Sequence, residues 1–435
     1  MKEKLMNGLL TFATKLQQQR HMSAIKNGFT TLLPIIIVGS FCTLFSNIVC
    51  NTTPGYVSIA NLPGMSWLGV LKPMFDAANW GTMNMLAITA CFLISAEMGK
   101  GFGMDSLALP VTSIACYISL VSTSATGTAS NGEVVTIANA ITNEVTSARG
   151  LFVAMATALV SAEIYCRLVK SGKLDIKMPE SVPSNVAGSF SVLFPSTLTV
   201  FIVSGFGLLF TTVTGMTVPY AIITFIQAPL AGVMTSWIGY VILVFMTDIL
   251  WLFGIHGTQT LKGIYDPILL AAFAENEAAY AAGTAIPNIV NTPFMSCFGT
   301  ITGAGVTGGL LIAIFLFSKR DDYRAIAKLA APCGIFNINE PLVFGLPIVM
   351  NPMLAIPFCL APAASNLFGY FMTSIGFCGR MVVNAPWTTP PMLMAFLASG
   401  GNIGAAITQL GAILIAAVIY SPFVIMLNHQ QPEEG

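Results

Sequence analysis

Apolar runs of about twenty residues, separated by short breaks rich in Gly, Pro, Asn and Ser, recur along this 435-residue chain. An uncharged run of roughly 20 residues, at ~1.5 Å per residue, covers the ~30 Å hydrocarbon core of a bilayer. Such runs fall at about 29–50, 81–98, 104–123, 150–169, 189–214, 234–254, 296–318 and 402–427. Before them, residues 1–28 place Leu5, Leu9, Phe12 and Leu16 on one helical face, with Lys4, Lys15 and Arg20 outside it. That pattern predicts a cytoplasmic interfacial helix. Residues 124–149, rich in Ser, Thr, Asn and Ala, read as an external loop, and the weakly amphipathic stretch 215–232 as a segment along the outer surface.

The pattern changes after residue 254. Residues 256–295 are apolar yet hold His256, Lys262, Asp266, Glu275 and Glu277 with three prolines, a poor composition for a lipid-facing helix. Glu275 and Glu277 are expected on a water-exposed turn. Residues 329–362 carry six prolines and predict a re-entrant hairpin followed by a kinked span; a second Pro-broken stretch runs from Arg380 to Pro391. The expected architecture is an all-α polytopic membrane protein with about ten transmembrane helices and re-entrant hairpins in its C-terminal half. Its divisions are the interfacial helix 1–28, a scaffold and dimerisation domain 29–215, a ligand-binding domain 216–428 and a cytoplasmic tail 429–435.

Composition agrees with the pattern. Hydrophobic residues make up 55% of the chain and charged residues 8%, against the roughly 25% charged of a soluble domain. Fourteen of the 18 Lys and Arg lie in residues 1–28, at Lys100, in the loop 167–177 and in the loop 319–328, which the positive-inside rule makes cytoplasmic along with both termini. Zero formal net charge argues against nucleic acid as a partner. The nine cysteines are scattered singly and read as small buried hydrophobes; no metal site, nucleotide loop or other cofactor motif is recognisable.

Two motifs stand out. In NINEPLVFG, residues 337–345, Glu340 follows Asn337 and Asn339 and precedes Pro341. A carboxylate at membrane depth costs about 2.5–3.5 kcal/mol on insertion scales, so it needs a partner or a role. Two neighbouring amides suit a polyhydroxyl ligand. In WLFGIHG, residues 251–257, His256 lies between Gly254 and Gly257, which allow close approach of a ligand to the backbone. An imidazole can take a proton from a hydroxyl or give one to it. Isolated histidines are as often structural. Trp251 and Trp387 lie near these motifs, where a flat ring can stack on a sugar or simply face lipid. Asp248, Asp266 and Arg380 either pair with one another or line the path.

With these motifs and MPESVPSNVAGSFSVLFP, residues 178–195, the chain resembles the membrane (IIC) components of the lactose/cellobiose family of bacterial phosphoenolpyruvate-dependent sugar phosphotransferase systems. The resemblance covers essentially the whole chain. It implies ten spans in the inner membrane, a homodimer formed by the first half, and a sugar site in the second. It further implies a β-linked disaccharide whose C6 hydroxyl is held by His256 and Glu340, one of them the base. Trp251, Gly257, Asn337, Asn339 and Trp387 would frame the sugar. The chain would then be the membrane subunit of a sugar phosphotransferase. The phosphoryl donor would be a separate phosphocysteine IIB protein, recharged by IIA and docked on the loops 167–177 and 319–328. The alternatives are a proton-coupled secondary sugar transporter using the same pair, or a membrane scaffold or sensor without turnover.

Overall fold

The computed structural model describes residues 15, 19–53, 58–128, 133–176, 179, 183, 188, 190–346, 348 and 352–428. Most of the expected interfacial helix, much of the passage 178–195 and the tail lie outside them. The helices that matter below are α1 (Arg20–Leu44), α2 (Lys72–Thr82), α3 (Leu86–Gly101), α4 (Ala108–Leu120), α5 (Leu151–Lys170), α6 (Leu193–Thr214) and α7 (Val218–Met234). They continue with α8 (Trp237–Leu252), α9 (Gly257–Ala281), α10 (Thr307–Phe317), α11 (Asp321–Gly334), α12 (Glu340–Gly345), α13 (Pro352–Ser374), α14 (Leu393–Ala398) and α15 (Ile403–Leu427). A two-stranded antiparallel pair, β1 (Ser124–Thr128) with β2 (Val134–Ala138), lies in the loop 124–149, and the polar composition did not announce it.

Among the described residues, seven helices are long and apolar enough to cross a membrane, or eight if α7 and α8 together make one span. The chain is therefore a mostly helical, multi-pass membrane protein. The stretch 104–123, read as a span, yields only the 13-residue α4, short of the roughly 20 residues a crossing needs.

Contacts divide the chain into two compact units. One comprises Gln18–Ile36 and Asn79–Leu230. In it, α3, α4, α5 and α6 pack through small residues: Ser161 Oγ bonds Ser113 Oγ at 2.8 Å, and Cys91 Sγ meets the Ser113 carbonyl at 3.6 Å. Small side chains let helix backbones approach where no water exists to drive them together. Glu163 gathers Arg20 at 3.2 Å and Arg167 at 2.6 Å, and Lys100 pairs with Glu97 at 2.6 Å, so much of the basic charge counted along this half is already matched.

The other unit, Ile37–Ala78 with Ala231–Gly435, is built on a different principle. Long stretches of its backbone are not helical, and buried side-chain amides satisfy them, as the absence of water at membrane depth requires. Gln409 on α15, wholly buried, accepts from the amides of Met392 (2.6 Å) and Ala395 (3.2 Å) and donates to the Cys297 carbonyl (3.0 Å). Asn276 on α9 donates to the carbonyls of Asn288 and Met381, and Asn291 donates to Met381 as well. Arg380 donates to the carbonyls of Ile286 and Pro287.

These contacts revise two readings of the sequence. Asp248, Asp266 and Arg380 do not pair with one another: Asp266 faces Lys262 one helical turn away at 3.6 Å, and Arg380 serves backbone carbonyls. Glu277 is not on a wet turn, since α9 continues through it as regular helix; it is 3% exposed and accepts from Thr43 Oγ1 at 2.6 Å. Glu275, half-buried on the same helix, accepts from Asn288 Nδ2 at 2.8 Å. A Glu-rich turn in sequence is thus a run of helix whose carboxylates are taken up inside the unit. All nine cysteines are unpaired and eight are buried.

Candidate functional site

His256 is the residue before α9, in non-helical backbone, and its ring caps the helix it precedes. Nδ1 accepts from the Gln259 amide at 3.4 Å and lies 3.0 Å from Thr258 Oγ1. The ring is exposed and rests against Trp251, with centroids 4.5 Å apart. Trp251 itself is buried at the end of α8, in one apolar cluster with Ile301, Ala304, Val306 and Leu310. Trp251 is therefore the wall behind His256, with little of its own face left for a ligand. Gly257 packs into α8: a β-carbon there would lie 1.9 Å from the Thr247 carbonyl oxygen. The space that the glycine provides is filled by helix α8.

Glu340 opens α12, followed by Pro341, whose missing N–H and fixed φ fit the first turn. The carboxylate is exposed and interacts electrostatically with the His256 ring. His256 and Glu340, 84 residues apart in sequence, thus come within electrostatic range of one another, with no hydrogen bond or ion pair between them among the described residues.

The two asparagines of NINE face inward instead. Asn337, in left-handed backbone at φ 62°, accepts from the Thr302 amide at 2.7 Å and donates to the carbonyls of Trp387 and Thr389 at 2.8 Å each. It fastens the motif to the non-helical stretch that carries Trp387, whose ring is 57% exposed and available for stacking. Asn339 donates to the Ala304 carbonyl at 2.7 Å. Asn337→Ala would leave the buried Thr302 amide and two carbonyls without partners, at about 1–3 kcal/mol for each group that stays dry. A clear fall in the melting temperature of the purified protein is expected; an unchanged value would show that the clasp carries no stability.

Sequence reasoning missed the segment these asparagines hold. Between Thr302 and Val306 the backbone is left-handed at Thr302 (φ 57°), Gly303 (94°), Gly305 (76°) and Val306 (48°). Positive φ at β-branched Thr302 and Val306 costs on the order of 1–3 kcal/mol each and persists only where surroundings over-determine it. They do. Thr302 Oγ1 accepts from the Gly308 amide at 2.7 Å, and Tyr420 Oη donates to the Gly305 carbonyl at 2.7 Å. At Gly303 a β-carbon would fall 2.3 Å from Asn339 Cγ, so no other residue fits beside the motif. The run Gly303-x-Gly305 was the one signal of this loop, and glycine in an apolar run reads as easily as helix packing.

On the flank, loop 319–328 is mostly the start of α11. Arg320 bonds Asp322 and holds its carboxyl below the usual carboxylate range, while Lys319, Arg324 and Lys328 remain exposed.

A many-helix membrane unit with long stretches of interrupted backbone, which carries an exposed His and Glu within electrostatic range, has the build of a transporter. The comparisons give the particular family. The profile described as "Phosphotransferase system, EIIC" matches residues 26–362. A putative permease IIC component, YwbA, from Bacillus subtilis is 32% identical, covering 100% of this chain and 96% of its own length. The cellobiose-specific EIIC component of Geobacillus stearothermophilus is 30% identical over 98% and 94%. The crystal structure of ChbC, the IIC component of the N,N'-diacetylchitobiose-specific phosphotransferase system, superposes with a TM-score of 0.87 at 33% identity, covering 96% of each chain. The chain belongs to the phosphotransferase system EIIC family, and the likeness to lactose/cellobiose permeases read from its motifs holds. Neither the proton-coupled transporter nor the scaffold reading gains any support.

Proposed function

We propose that the protein carries a β-linked disaccharide of the cellobiose, diacetylchitobiose or lactose type across the inner membrane. It presents the sugar's C6 hydroxyl to a separate IIB protein bearing a phosphocysteine, itself recharged by IIA. The observation that carries this reading is the convergence of exposed His256 and Glu340 at the meeting of two interrupted segments, with the ring of Trp387 exposed on a stretch tied to the same motif.

The hydrogen bonds divide the labour. Because Nδ1 of His256 accepts from the Gln259 amide, the neutral ring carries its proton on Nε2 and can only donate there. Glu340 is then the base. It takes the C6 hydroxyl proton as O6 bonds to phosphorus and the phosphorus–sulfur bond of the phosphocysteine breaks. The products are sugar 6-phosphate and a cysteine thiolate. Phosphoryl transfer asks mainly for positioning and charge stabilisation, so a membrane base and a docked donor suffice. Exposed Lys319, Arg324 and Lys328 support donor docking on the loop 319–328. Phosphorylation traps the sugar inside as an anion, and the donor supplies the energy, so no coupling ion or cofactor is needed. A homodimer with both termini cytoplasmic completes the proposal.

A 6-deoxy disaccharide tests the chemistry. It is expected to compete with the parent sugar for binding yet yield no phosphorylated product. Phosphorylation of the 6-deoxy compound would move the reacting hydroxyl elsewhere on the ring.

A further inference from the structure

Trp387, the exposed ring beside the motif, stands on backbone that cannot hold itself in place. Three of the seven residues 386–392 are proline, without an N–H, so the stretch cannot supply regular hydrogen bonds of its own. Two side-chain amides from other elements take over. At one end Asn337 donates through Nδ2 to the carbonyls of Trp387 and Thr389, at 2.8 Å each. At the other end Gln409 on α15, wholly buried, accepts through Oε1 from the amides of Met392 at 2.6 Å and Ala395 at 3.2 Å. Met392 is left-handed at φ 68°, a conformation that a residue of its size keeps only where its surroundings impose it.

The far ends of both amides reach one interrupted segment. Asn337 Oδ1 accepts from the Thr302 amide at 2.7 Å, and Gln409 Nε2 donates to the Cys297 carbonyl at 3.0 Å, five residues earlier in the chain. The stretch that carries Trp387 is therefore clasped at two points to the segment 297–302. Asn337 also lies three residues before Glu340 in the same motif, so the clasp ties the ring to the carboxylate. Capping the first amides of α14 would use Gln409 Oε1 alone; the bond to Cys297 and the parallel bridge made by Asn337 turn a cap into a mount.

We propose that Gln409, with Asn337, is a positioning residue for the sugar: the two amides mount the stretch 386–392 on the segment 297–302 and so set where the Trp387 ring stands relative to Glu340. The proposal rests on the ring of Trp387 stacking on the sugar; Gln409 is wholly buried and touches no ligand itself. Without its amide, Met392 relaxes out of the left-handed region, the stretch keeps only its Asn337 end, and the ring loses its fixed place. The loss falls on sugar affinity, because a stacking ring holds the sugar alike before and during transfer.

The test is a double-mutant cycle on sugar affinity, measured by calorimetry on full-length protein in detergent with cellobiose and diacetylchitobiose as probes. Wild type, Gln409→Met, Trp387→Ala and the double variant are compared; Met matches Gln in length and has no amide. Trp387→Ala and Gln409→Met are each expected to weaken binding about tenfold. In the Trp387→Ala background, Gln409→Met is expected to weaken it further by about twofold at most, because no ring is left to misplace. A residue that only caps α14 would weaken both backgrounds equally, and that result overturns the proposal. So does a Gln409→Met affinity equal to wild type. Should Gln409→Met fail to fold, Asn337→Asp takes its place in the cycle, and the same outcomes decide. That variant keeps an oxygen for the Thr302 amide and loses both donors to the Trp387 stretch. Trp387→Ala separates the two claims. If it binds sugar as wild type does, the stacking reading has failed, and the inference with it; if it binds weakly while Gln409→Met binds normally, only the inference has.

Discussion

Glu340→Gln is expected to bind disaccharide within about an order of magnitude of wild type and to lose phosphorylation. The amide is nearly the same size as the carboxylate and still hydrogen-bonds a sugar hydroxyl, so the ground state changes little. It cannot accept the C6 proton. Removing a general base costs typically about 10² to 10⁴ in rate, and among the described residues no other carboxylate acts on the His256 ring. Because Glu340 is exposed at the start of α12, the folded state should tolerate the change. Single-turnover transfer from phosphorylated IIB, with sugar binding measured by calorimetry on the same preparation, separates the two effects. Normal transfer by this variant would remove Glu340 from the mechanism.

His256→Ala is expected to show two separable losses. The ring caps α9, and loss of a side-chain cap costs about 0.5–2 kcal/mol of stability. In the proposed mechanism it also supplies the Nε2 donor to the reacting oxygen or the transferring phosphoryl group, and deleting one such donor typically slows a reaction by about 10² to 10³. A modest fall in melting temperature with a large fall in transfer rate is the expected pair of results. If stability falls and the rate at saturating sugar does not, His256 is a cap and nothing more.

Much of this was legible in sequence because membrane physics leaves few options. Apolar run length announced most of the spans, though 104–123 yields only a short helix and seven or eight candidate spans stand where ten were expected, and the positions of Pro341 and Glu340 announced a broken, polar segment. Where the reading stopped, the reason is physical. An asparagine beside a catalytic candidate looks the same in sequence whether its amide meets a ligand or a carbonyl, and Asn337 and Asn339 both meet backbone. A tryptophan five residues before the histidine looks like a stacking platform, yet Trp251 lies tilted against His256 and turns its remaining surface into the core. Gly257 suggested room for a ligand, and the Thr247 carbonyl occupies it. The left-handed segment Thr302–Val306 was invisible because its strain is imposed by Tyr420 and Asn337, residues distant in sequence. Local pattern cannot report a conformation that only tertiary contacts make affordable.

The central claim is that transport and phosphorylation are one event that requires the donor protein. It is tested most directly by sugar uptake into vesicles containing this protein, with and without phosphorylated IIB, assaying whether the accumulated product is free or phosphorylated. Sugar 6-phosphate appearing inside only when the donor is supplied is the predicted result. Free sugar accumulating without the donor, driven by a proton gradient and abolished by an uncoupler, would contradict it.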